Sequence, residues 1–177
     1  MHIAKQLKDN NICEYLLYMW QVEDILRAYG LDEERLATEY ATRFPQEQRA
    51  QEAQWLSDLC RMMREEDAQQ KGHLQMNKGT LVLLADLHAQ LLNSPKHPFY
   101  GATYHKVLPH IVELRRRGDT DKGELEVCFD ALYGVMLLRM QKKEISRETL
   151  AAVQQITQML TMLGDAYKKE KEGTLEL

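Results

Sequence analysis

The run Tyr15–Trp20, YLLYMW, sets six consecutive apolar or aromatic residues inside a stretch that otherwise reads as helix. At about 100° per residue such a run covers every side of a helix, which then needs neighbours all round. The pattern predicts a first helix from Ile3 to Tyr29, ended by Gly30 as a left-handed C-terminal residue. Asp32 is then the N-cap of a short acidic-led segment in which Leu36 and Tyr40 share a face. Pro45 suits the first position of the next helix, which continues to Lys71 with Trp55, Leu56, Leu59, Cys60, Met62 and Met63 as its apolar stripe. Asn77 can cap a compact apolar helix, Thr80–Leu92, that reads as well buried. Asn93–Gly101, with two prolines and a glycine, is the clearest loop.

The helix that follows ends in Arg115–Arg117 and should kink or break at Pro109. Gly118–Gly123 is a turn, and Asp121 with Glu124 has the spacing of a capping box. Leu125–Met140 is apolar on several faces. Gly134 inside it costs about 1 kcal/mol of helix propensity relative to Ala, which a close helix–helix approach would make sense of. Ser146 caps a long final helix whose seam is Leu150, Val153, Ile156, Leu160, Leu163 and Tyr167, with a fraying tail. About six helices result, one of them short, with no period-2 strand. The expected fold is an all-α bundle in a single domain, residues 1–172, with 173–177 as the tail. Its first and fifth helices should be the most buried, and mostly short connections favour antiparallel neighbours.

Composition agrees with helix: among 177 residues there are 9 Gly and 4 Pro, 44% are hydrophobic and 28% charged. No stretch approaches the roughly 18 apolar residues of a membrane span, and MHIAKQLKDNNIC has charge where a signal peptide is apolar. The cytoplasm is therefore the default address, with no membrane partner. A net charge of −4 gives no overall attraction to nucleic acid, which is disfavoured as a partner. Cys13, Cys60 and Cys128 lie far apart without zinc-like spacing and read as buried free thiols.

Three stretches, ICEYLLYMWQVEDILRA from Ile12, YHKVLPHIVELR from Tyr104 and CFDALYGVMLLRMQKKEISRET from Cys128, together resemble an uncharacterised bacterial family of all-helical cytoplasmic proteins of this length. The resemblance spans nearly the whole chain. It implies the helical fold and brings no activity, substrate or cofactor with it.

Candidate chemistry lies first in polar groups beside the greasy helices. Glu23 and Asp24 fall within one turn of Trp20, where a carboxylate must reach water, find a cation or lose its charge. Arg139 follows four apolar residues, so packing of the first helix on the fifth would let it meet Glu23 or Asp24 as a bidentate pair. Trp20, Glu23, Asp24, Arg27, Tyr133 and Arg139 thus form either a structural cluster or the lining of a ligand pocket. His88, His105 and His110 are the available metal ligands, but no Glu-x-x-His or His-x-x-x-His motif joins them. Arg115, Arg116 and Arg117 complement a helix C-terminus or contact an anion. GxSxG, the P-loop and GxGxxG are missing from the sequence, so no catalytic residue and no cofactor is assigned. The leading expectation is a non-enzymatic protein acting through protein contacts, as a homodimer or with another partner. The final helix, with Met159 and Met162 opposite its seam, is the expected interface. A small-molecule or metal-binding protein with a polar cavity between the first and fifth helices is the alternative.

Overall fold

The computed structural model describes residues 1–118 and 121–177. Among them eight α-helices appear and no strand: α1 His2–Asn10, α2 Ile12–Ala28, α3 Glu33–Arg35, α4 Arg49–Glu65, α5 Gln75–Asn93, α6 Pro98–Arg117, α7 Glu124–Met140 and α8 Arg147–Lys171. A π-turn, Leu36–Tyr40, and two 3-10 turns, Ala41–Arg43 and Gln46–Gln48, link α3 to α4. The count exceeds the expected six. Asp119 and Thr120, in the expected Gly118–Gly123 turn, lie outside the described residues. The chain divides into two compact units, Met1–Thr80 and Leu81–Leu177, with the boundary inside α5.

In the first unit, the expected Ile3–Tyr29 helix is broken at Asn11. Its backbone turns to φ −151°, ψ 93°, while its side chain accepts from Glu14 N and caps α2. Asparagine is among the best N-cap residues because its short side chain can satisfy an otherwise unpaired N–H. Helix α2 buries Tyr15, Leu16, Met19, Trp20, Val22, Glu23 and Leu26, while Leu17 and Tyr18 are half-buried. Gly30 takes φ 66° as expected, followed by Leu31 at φ 56°. Asp32 caps α3 by accepting from Arg35 N.

Pro45 stands outside the helix rather than at its first position, with ψ 142° ahead of the 3-10 turn. Helix α4 stops six residues before Lys71 because Asp67 adopts φ 54°, and Ala68 N then closes on Met63 O at 2.8 Å. Its Leu56, Leu59, Cys60 and Met63 are buried as the stripe required. Glu52, fully enclosed on the same helix, accepts from the Met1 ammonium group and from His2 N. Asn77 sits within α5 rather than ahead of it.

In the second unit, α5 buries Leu84, Leu87, His88 and Leu91, but Val82 and Leu83 are 59% and 53% exposed, so this helix is less enclosed than its composition suggested. Pro98 begins α6 at the position proline favours, which shortens the expected loop. Pro109 does not break the helix, which runs through it with the ring on the exposed side, where water can take the released carbonyl. Helix α7, expected among the most buried, encloses Leu125, Val127, Cys128 and Phe129 in its first half but only Val135 beyond them. Its N-cap is Gly123 with no side-chain cap, so the expected capping box is not formed. Ser146 caps α8 through Thr149 N at 3.1 Å. Ile156, Met159, Leu160 and Leu163 of α8 are all buried. Met159 therefore belongs to the interior of the chain and not to an outer contact face. The tail is tied rather than loose: His97 Nε2 donates to Glu176 O at 2.7 Å, and Lys96 pairs with the Glu176 carboxylate at 3.3 Å.

Candidate functional site

Three polar or concave arrangements stand out, one in the first unit and two in the second. Glu23 is completely enclosed. Its Oε2 accepts from His73 Nδ1 at 2.6 Å, and its Oε1 accepts from Leu74 N at 2.9 Å and Asn77 Nδ2 at 2.6 Å. Trp20 stacks on the His73 ring with centroids 4.2 Å apart and planes 13° apart. Three donors to one carboxylate compensate the desolvation that burial imposes. The group fastens the start of α5 to α2. Arg27, one turn further on, pairs with Asp24 at 2.9 Å and donates to the carbonyls of Ala68 and Gly72. These contacts hold the segment between α4 and α5.

His88 organises the second arrangement. Its Nδ1 lies 2.5 Å from the Tyr100 hydroxyl, and its Nε2 is enclosed without a hydrogen-bond partner, 3.9 Å from Glu124 Oε2. Tyr104 donates to the same Glu124 oxygen at 2.9 Å, and the rings of Tyr100 and Tyr104 meet His88 edge-on. With a carboxylate facing Nε2, the favoured tautomer carries its proton there, and Nδ1 accepts a hydrogen bond from the Tyr100 hydroxyl. Burial pushes the His88 pKa down, although the Glu124 charge pulls the other way. Burial, then the hydrogen bond to Glu124 and its charge, raise the Tyr104 pKa to about 12. The neighbouring Cys128 thiol is raised to about 12, first by burial and then by Glu124, and is therefore a poor nucleophile at neutral pH.

The third feature is a groove of 730 Å³ among α6, α7 and α8. Ala131, Gly134, Leu137 and Leu138 of α7, Leu114 of α6, and Ala152, Val153 and Ile156 of α8 supply its apolar surface. The Gly134 position faces open space: apart from its own helix backbone and its two chain neighbours, no atom lies within 4 Å of where a Cβ would stand. The close approach inferred from this glycine is thus not made within the unit. Charged residues lie around the groove, and two of them are neutralised: Glu113 by Arg117 at 2.8 Å and Asp130 by Lys122 at 2.6 Å. Glu148 is exposed.

Residues 1–174 match the family described as a domain of unknown function, DUF4924. The chain belongs to DUF4924. No curated protein and no solved structure matches it.

In this DUF4924 protein the residues singled out from sequence have separate fates. Trp20, Glu23, Asp24 and Arg27 lie together on α2, but Glu23 takes its partners from His73, Leu74 and Asn77, and Asp24 pairs with Arg27. Arg139 is exposed near the end of α7, and Tyr133 is half-buried in the middle of that helix. His88 is enclosed, His105 is exposed, and His110 bonds Gln155 at 3.1 Å on the groove wall. Among the described residues no group of three or more His, Cys, Asp or Glu side chains could hold a metal ion. Arg115 donates to Lys122 O at 2.8 Å, Arg117 pairs with Glu113, and Arg116 is exposed, so the three arginines do not converge on one point. The sequence pattern assigns no site role to His73, Tyr100 or Tyr104, and predicts Asn77 only as a helix cap. His73 stands two residues before α5, and Tyr104 is half-buried within α6. The groove was signalled by α7 itself, too apolar for one enclosed side.

Proposed function

We propose that this DUF4924 protein is a non-enzymatic interaction module whose α6–α7–α8 groove receives an apolar helical segment of a protein partner. One observation carries the reading. Helix α7 is apolar on several faces, yet beyond Phe129 it encloses only Val135, and Met140 is 61% exposed. A helix of that composition requires neighbours on more than one side. Helical partners bind such grooves through side chains spaced three, four and seven residues apart, which matches a surface built on Ala131, Gly134, Leu137 and Leu138. The polar groups nearby favour this reading over catalysis, because His110 is bonded to Gln155 and Glu113 to Arg117.

The test is a photo-reactive residue at Ala152, irradiated in cells producing the protein, with adducts mapped by mass spectrometry. The expected product joins the groove to a defined protein segment, and Leu138→Glu abolishes it. Products confined to solvent quenching overturn the reading. A small apolar molecule is the second occupant to consider, favoured by a volume of 730 Å³ that lies within the range of about 300–1,000 Å³ typical of ligand pockets. Native mass spectrometry distinguishes the two, since a bound small molecule appears as a fixed mass increment lost in Leu138→Glu.

A further inference from the structure

Helix α6 carries its own complement to the groove. Phe99 is 80% exposed, the most exposed of the large apolar side chains. Phe99, Lys106, His110, Glu113 and Arg117 follow one another at spacings of seven, four, three and four residues, so they share one face of α6. The last three line the groove. An apolar knob and an apolar groove thus lie along one line of a single helix, about 16 Å apart at 1.5 Å per residue. Two such adjacent, complementary features satisfy each other when a second copy is related by a two-fold axis. Aromatic side chains, phenylalanine included, are enriched in such contacts.

Charge agrees with this pairing. Lys106 is exposed on the Phe99 side of the face, whereas Glu148 at the groove is exposed and, unlike Glu113 and Asp130, pairs with no cation among the described residues. We infer that the groove's occupant is a second copy of this chain: Phe99 of each copy seats over Gly134, Leu137 and Leu138 of the other, with Lys106 drawn to Glu148. This rests on the groove being a protein-binding site and names the protein. Gly134 then acquires the close approach that it lacks inside the unit.

Sedimentation velocity over the micromolar range tests it, with circular dichroism confirming the fold of each variant. The wild type is expected to form a dimer. Phe99→Glu removes the knob, and Gly134→Leu fills the groove while improving helix propensity. Each alone should weaken dimerisation at least tenfold. Mixing the two should restore dimer mass, because one intact knob and one intact groove remain between them. Lys106→Glu should weaken the dimer, and adding Glu148→Lys should recover part of the loss. A wild type that stays monomeric, or a dimer indifferent to Phe99→Glu, overturns the inference. If a different protein is trapped at Ala152 while the wild type is monomeric, the groove reading stands and self-pairing falls. If neither occurs, both fall.

Discussion

Glu23 and Asp24 are sequence neighbours in opposite environments. The first is enclosed with both oxygens accepting hydrogen bonds, and the second is 46% exposed beside Arg27. Removing one partner of a buried, hydrogen-bonded charge leaves donors unpaired in a medium that cannot solvate them. Glu23→Ala should cost about 3–5 kcal/mol in urea denaturation, and Asp24→Ala under about 1 kcal/mol. Equal effects would show that the carboxylate of Glu23 is dispensable to the first unit.

His88 makes a prediction in pH. Burial holds its folded pKa below 6.5, so over the interval between the two values the unfolded chain binds the extra proton. Its contribution is therefore intact above pH 6.5 and is lost as pH falls through the lowered value. His88→Gln should flatten the decline in unfolding free energy as pH falls below 6.5. An unchanged slope would assign that decline to other groups.

Among the helices, short-range chemistry was legible and long-range partnership was not. Ser146, Asp32 and Gly30 announce their roles because a cap or a left-handed turn depends on one residue and its immediate neighbours. Asn11 carried the same information but lies between Lys8, Asp9, Asn10 and the apolar run, so continuity of the helical pattern hid the break. Asn11→Ala should cost about 0.5–2 kcal/mol in thermal denaturation and fuse neither helix to the other. Asp67 ends α4 with positive φ, a conformation that aspartate adopts without declaring it in sequence. The His73–Glu23 contact links residues 50 apart, and no local pattern could have named it. Arg139 looked like the missing cation only because its predecessors on α7 are apolar. That same half of α7 is incompletely covered, so its arginine reaches solvent.

At the level of the whole chain, the all-helical class followed from period and composition. The two compact units did not, because their boundary falls within the continuous helix α5. The three cysteines happen to be shared between them: Cys13 and Cys60 are enclosed in the first unit and Cys128 in the second. Burial raises the Cys60 pKa to about 11 and the Cys128 pKa to about 12, so alkylation requires the surrounding structure to open. The native chain consequently contains its own clocks, one for each unit. Timed iodoacetamide exposure, read by peptide mass, should modify Cys60 and Cys128 at different rates if the units open separately, and at one common rate if only global unfolding uncovers them. Because Glu23 fastens only the first unit, Glu23→Ala should quicken the Cys60 clock more than the Cys128 clock. Equal acceleration would mean that the chain opens as a single cooperative body.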